Sequence, residues 1–336
     1  MKRTVLYIST ITAVCFYSFH KKQSPADAFK ADVEKIADSI RVEGIVVNNL
    51  FKYQILAHRK GYDSEMIVKN VYEPHQKLWD SCYALIFGEG NARLYNNPQG
   101  MIEWNRTLYP SNKKAFDKKV ETLLKINNNG LLESNLRKFN QLVPYKPQAR
   151  ISIIFTPLTG IGFGGCSYDQ FALELNNENT NVQYMLEKGL PHELNHLVYE
   201  KFRNKDVDKS SALSQTIDEG FACYFTWNFF KGKIQKYEAV ENMSKENWAW
   251  YISHEKQIFL NVKPYFPDIS GDNPLLRNDR TKLFSDAPKT LNYWLGFRII
   301  EKYIEKNGSD SWKDIYHLTA KEVFDKSGYE NYIESL

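Results

Sequence analysis

Apolar residues recur at helical spacing through most of the first half of the chain. The spacing predicts helices over 26–40, 47–58, 63–87 and 112–126. Gly88-Glu89-Gly90-Asn91, Tyr95 through Gly100, and Asn127 to Gly130 read as the turns between or after them. The pattern then changes. Ala149 to Pro157 is apolar, β-branched and ended by proline, and Gln170 to Leu175 alternates with period two, so both read as strands. Gly160, Gly162, Gly164 and Gly165 break the connection between them. Gly164-Gly165-Cys166-Ser167 suits an edge strand able to pair with an extended peptide, and equally suits an ordinary glycine-rich loop. Helical spacing returns over 212–225, 229–260 and 289–306, with a Pro-, Gly-, Asp- and Asn-rich loop at 264–286 that suits a substrate rim. The expectation is an α+β fold, mainly helical, with a small β-sheet whose glycine-rich edge lies next to a two-helix core.

That core carries the chemistry. His192-Glu193-Leu194-Asn195-His196 has the H-E-x-x-H form of a zinc-hydrolase helix. Residues four apart lie on one helical face, about 6 Å apart along the axis, so two imidazoles can converge on one tetrahedral ion. Glu193 is turned about 100° from His192. It can flank the ion without binding it, take a proton from the attacking water and pass it to the leaving amine. Pro191 suits the first helical turn, Gly189 suggests a break before it, and Val198, Tyr199 and Phe202 supply an apolar flank.

The third ligand must come from elsewhere, and Glu219 is the choice. Asp206, Asp208, Ser210 and Ser211 form a polar loop with caps for the next helix, and two helices so joined pack antiparallel. Gly220 and Ala222 allow close helix approach. Asp218 either orients a ligand histidine or is a solvated charge, Glu200 reads as surface, and Cys223 reads as small core packing.

His192-Glu193-x-x-His196 followed by Glu219-Gly220-x-Ala222 resembles the gluzincin metallopeptidases, the thermolysin-like clan, and among them bacterial predicted zinc-dependent proteases. Weaker blocks at Ile151 to Leu175 and Asn292 to Arg298 extend the resemblance over about residues 150–305. It implies one Zn²⁺ held by His192, His196 and Glu219, with Glu193 as general base. No histidine of this chain aligns to the oxyanion-stabilising position of better-known members. Tyr293 is the candidate by resemblance, ahead of His254, which sits among aromatic residues; His58, His75 and His317 read as structural or exposed.

Composition adds limits. A net charge of +4 is too small to argue for nucleic acid, and a 43% apolar content in 336 residues is enough for a sizeable core. Lys2-Arg3 followed by the apolar run Val5 to Phe19 makes residues 1–22 a signal peptide or membrane anchor. Residues 23–145 are expected to form a helical N-terminal region, and 146–336 a gluzincin-like catalytic region. Cys15 falls in the targeting segment, so Cys82, Cys166 and Cys223 permit at most one disulfide and leave a thiol. The expected protein is an exported zinc peptidase of the periplasm or cell envelope, acting on a peptide or protein and touching membrane only through an N-terminal anchor. The alternative is a catalytically inactive, peptidase-like binding or structural module of the envelope; the intact Glu193 argues against it.

Overall fold

The computed structural model describes residues 25–336, apart from Tyr168 and Asn204. The expected targeting segment therefore lies outside the described residues. The fold is α+β and mainly helical, with one five-stranded mixed sheet.

The strands are β1 (Ser39–Val42), β2 (Ile45–Asn49), β3 (Ala149–Ile154), β4 (Phe163–Ser167) and β5 (Gln170–Glu174). Their order is β1-β2-β3-β5-β4, with β2, β3 and β5 parallel and both outer strands antiparallel to their neighbours. The β1–β2 hairpin corrects two helix expectations. The first helix is Pro25–Lys35 and stops before Ser39, and residues 47–49 belong to a strand, the helix starting only at Leu50. All five residues of β2 are buried and paired in register with β3, so non-local burial of the β-branched Ile45, Val46 and Val47 overrides local periodicity. The sheet thus draws strands from both sides of residue 146. The glycine-rich stretch forms β4, the outer strand at one end of the sheet.

The helix Pro98–Asn128 also starts earlier than the sequence suggests. Asn97 caps it by accepting from Gly100 N at 2.9 Å, so the turn shrinks to Asn96-Asn97. The helix passes through Pro110. That residue is exposed, and it contributes no N–H to the helix ladder. The expected helix at 229–260 is broken into Lys236–Ala239, Lys245–Ser253 and Glu255–Val262 after Ala212–Phe230 ends at Lys231, whose φ is 46°. Left-handed backbone at Glu241 and Asn242 makes the second break. The 264–286 loop opens on the end of a 3-10 turn, Lys263–Tyr265, and holds the short helix Asn278–Thr281; Leu291–Asn307 lies within two residues of expectation.

Two helices meet almost backbone to backbone. A Cβ built on Gly220 would lie 2.0 Å from the Gly296 carbonyl carbon, and one on Gly296 would lie 1.9 Å from Thr216 O. This crossing joins Ala212–Phe230 to Leu291–Asn307 beside candidate site residues of both helices: Glu219 precedes one glycine and Tyr293 lies one turn before the other. Farther along, buried Arg298 pairs with Glu255 (Nε to Oε1, 2.8 Å) and Glu301, and Tyr329 donates to Glu255 Oε1 at 2.8 Å, tying the C-terminal helices to the same core.

Candidate active site

The helix Leu190–Arg203 carries the motif. It continues directly from a π-helical turn, Met185–Gly189, so Gly189 does not break the chain as expected. Leu194, Leu197 and Val198 are buried, and Asn195 Oδ1 accepts from Tyr316 OH at 2.6 Å. Those contacts fix the opposite face, where His192 and His196 point at the helix Ala212–Phe230. His192 meets Cys223 while His196 meets Asp218, so the two helices run antiparallel.

His192, His196 and Glu219 form a group of potential ligands. The Nε2 atoms of the histidines are 3.2 Å apart. Glu219 Oε2 lies 3.2 Å from His192 Nε2 and 3.4 Å from His196 Nε2. Tetrahedral geometry with bonds of about 2.05 Å sets ligand atoms about 3.3 Å apart. All three edges of the observed triangle match that figure, so the donor set fits one zinc ion in both chemistry and size.

The electrostatics follow from this closeness. Burial opposes charge on His192 and His196, yet the acidic groups around them outweigh it: Glu219 bonded to His192, and Asp218 and Glu219 beside His196 hold both above the usual imidazole value. Burial would raise Glu219, but the two imidazoles hold its carboxyl well below the usual range. Asp218 is not a solvated charge. Its Oδ1 lies 2.8 Å from His196 Nδ1 and its Oδ2 lies 3.3 Å from Arg203, so it sits behind His196, where it can orient that ring.

Glu193 lies on the same wall. Burial pushes its carboxyl up to about 7; the two histidines pull it down, and Glu219 and Glu241 push it up further. A Cβ on Gly164 would sit 3.3 Å from Glu193 Oε2, so the bare backbone of β4 passes beside this carboxylate. Tyr293 stacks on His192 with ring centroids 6.0 Å apart, and burial raises its phenol well above the usual value. His254 stacks on Trp250 instead and does not line the cleft. Cys223 is buried and its Sγ lies 3.7 Å from His192 Nδ1. His58 donates its Nε2–H to Asn105 O, 3.0 Å away, and His317 is exposed.

His192, Glu193, His196, Asp218, Glu219 and Tyr293 line a cavity of about 790 Å³, walled on one side by Gly160 to Gly165. Buried Glu174 holds that wall. Its carboxylate accepts from Gly160 N (3.0 Å), Ile161 N (3.1 Å) and Gly162 N (2.9 Å), a nest of backbone donors around one anion. Glu200, expected at the surface, lines the cavity, as does Glu241. Glu200 follows His196 by one helical turn, and that spacing is a legible signal. Glu241 belongs to no motif, and Arg203 is recognisable only once Asp218 is placed.

The chain belongs to the family described as Predicted Zn-dependent protease (DUF2268), which matches residues 142–325, more than half of its length. No curated protein and no solved structure matches the chain.

Proposed function

We propose that this protein is an exported zinc-dependent peptidase of the gluzincin kind, with His192, His196 and Glu219 holding one zinc ion and Glu193 as general base. The observation that carries the reading is the ligand triangle of 3.2, 3.2 and 3.4 Å, with Glu193 on the adjoining wall of the same cavity. When bound, the ion supplies Lewis acidity at the reacting carbonyl and water.

The side chains supply the rest. Glu193 takes a proton from the attacking water and delivers it to the leaving amine. Burial strengthens the carboxylate as a base, which favours taking up the water's proton, and the bound cation would pull it back toward giving that proton up to the amine. Asp218 accepts the Nδ1–H of His196 and fixes the direction of its Nε2. Tyr293, beside His192, donates a hydrogen bond to the carbonyl oxygen as negative charge develops there. β4 offers an outer strand edge along which an extended peptide can pair, which brings its scissile bond past Glu193.

Export is supported by the charged and apolar N-terminal pattern, and by Cys82, which is in a disulfide, a bond favoured in oxidising compartments. No helix among the described residues is long and apolar enough to cross a membrane; in this reading residues 1–22 serve as a signal peptide or as an anchor.

The test is mass-spectrometric cleavage mapping of a mixed peptide library by the zinc-loaded chain and by Glu193→Gln. Cleavage by the first alone, with zinc retained by both, is the expected result. If neither cleaves while both hold zinc, the peptidase reading fails and a binding or structural role in the envelope replaces it.

A further inference from the structure

We infer that Glu241 is a positioning residue of the metal centre: its carboxylate accepts the Nδ1–H of His192 and aims the opposite nitrogen at the ion. This rests on the zinc reading above and extends it to a residue outside every motif.

The two ligand histidines are held unequally. His196 has Asp218 Oδ1 at 2.8 Å from its Nδ1. His192 Nδ1 faces Cys223 Sγ at 3.7 Å and Glu241 Oε1 at 4.0 Å. His192 is only 5% exposed, so water does not readily serve its second nitrogen. An imidazole that binds metal through Nε2 carries its proton on Nδ1 and requires an acceptor there. A thiol accepts weakly, whereas a carboxylate accepts strongly. Closing the remaining gap to hydrogen-bond length takes a shift of about 1 Å, within reach of a rotamer change in a side chain that borders a cavity.

The chain holds Glu241 in that place by unusual means. Its φ is 52°, in the left-handed region that Asn and Gly tolerate and Glu rarely adopts. The neighbouring Val240 and Met243 are buried, and Glu238 is both part of a capping box with Gln235 and bonded to Lys188 at 2.7 Å. The turn is therefore anchored on each side while the Glu241 carboxylate projects into the cavity. Among the described residues the charged partner within 4.0 Å of its carboxylate is His192, not a lysine or arginine. Left-handed backbone retained at a non-glycine residue beside a reactive centre is the pattern expected where geometry serves function.

The experiment measures Zn²⁺ affinity of the full chain by competition with a chromophoric chelator, and the visible spectrum of the Co²⁺-loaded protein. Glu241→Ala should weaken zinc binding 10- to 100-fold, in line with the loss of an orienting partner, and alter the Co²⁺ spectrum. Glu241→Gln keeps an acceptor oxygen and should recover most of the affinity; it also serves if the alanine variant does not fold. Unchanged thermal unfolding of the zinc-free variants separates positioning from general destabilisation. Wild-type affinity in Glu241→Ala overturns the inference and leaves the peptidase reading standing. So does a full loss in Cys223→Ala with none in Glu241→Ala, which assigns Nδ1 to the thiol. A wild-type chain that binds no zinc overturns both.

Discussion

Replacing Gly296 by alanine inserts one methyl group where two helical backbones touch. The new Cβ would lie 1.9 Å from Thr216 O and 2.8 Å from Gly220 Cα. Ordinary contact begins near 3.4 Å, so the helices must separate by about 1.5 Å or tilt. Backbone atoms cannot rotate away as a side chain can, which puts the overpacking penalty near the upper end of its usual range, about 3 kcal/mol. Alanine returns about 1 kcal/mol of helix propensity. The expected net loss is about 2 kcal/mol, read by urea unfolding followed by far-UV circular dichroism. Function should suffer more than stability. Tyr293 lies one turn before Gly296 and Glu219 adjoins Gly220, so the displacement moves a proposed oxyanion donor and a proposed ligand relative to His192. A misplacement of about 1 Å can cost about 100-fold in rate. Gly90→Ala is the control: its Cβ meets nothing within 4 Å and the residue is inside a helix, so stability should hold or rise. Because Gly220→Ala strikes the same contact, the two changes should not add. A Gly296→Ala variant as stable and as active as the parent would refute the close-crossing argument.

Other outcomes follow from the same geometry. Asp218→Ala should weaken zinc binding 10- to 100-fold, because His196 loses the acceptor that orients its ring; a chelator titration checks this. Glu174→Gln replaces an anion that serves three backbone donors, and should destabilise by about 2 kcal/mol and raise KM more than it lowers kcat, measured by unfolding and steady-state peptide hydrolysis. Activity should fall at acid pH, since Glu193 must be ionised to accept a proton. Burial raises it from 4.5 to about 7 and a bound cation pulls it back, so the acid limb of kcat/KM should inflect between these values; a flat profile down to pH 4 would exclude Glu193 as the base.

The parts of the site legible in the sequence are those fixed by local geometry. His192 and His196 share a face because a helix repeats every 3.6 residues, and that relation needs no tertiary knowledge. The helix of Glu219 was visible from its apolar run, and the value of Gly220 and Ala222 from their size. The rest depends on contacts between distant segments. Ile45 to Val47 has a composition common to strands and buried helices, and only pairing with β3 decides between them. Pro110 ordinarily ends a helix, but here it faces solvent and the turns on either side are packed by Tyr109 and Phe116. Asp218 allowed two readings until Arg203, from the end of another helix, closed on it. Glu241 sits in a turn whose conformation no periodicity announces.

The parallel pairing of Ile45 with Ala149 also constrains the order in which the molecule can assemble. Joining these strands closes a loop of about one hundred residues, at an entropic cost of about 4 kcal/mol. Nothing near in sequence repays that cost, so the central strands must await the long helical segment between them, and the cleft-side edge that rests on β5 must await the central strands. A fragment cut at residue 146 would keep every proposed metal ligand yet begin on β3 with one side bare, its backbone donors and acceptors open to a neighbouring chain. The half of the sequence that carries the proposed ligands therefore relies on the Ser39–Asn49 hairpin of the other half to cover its open strand edge.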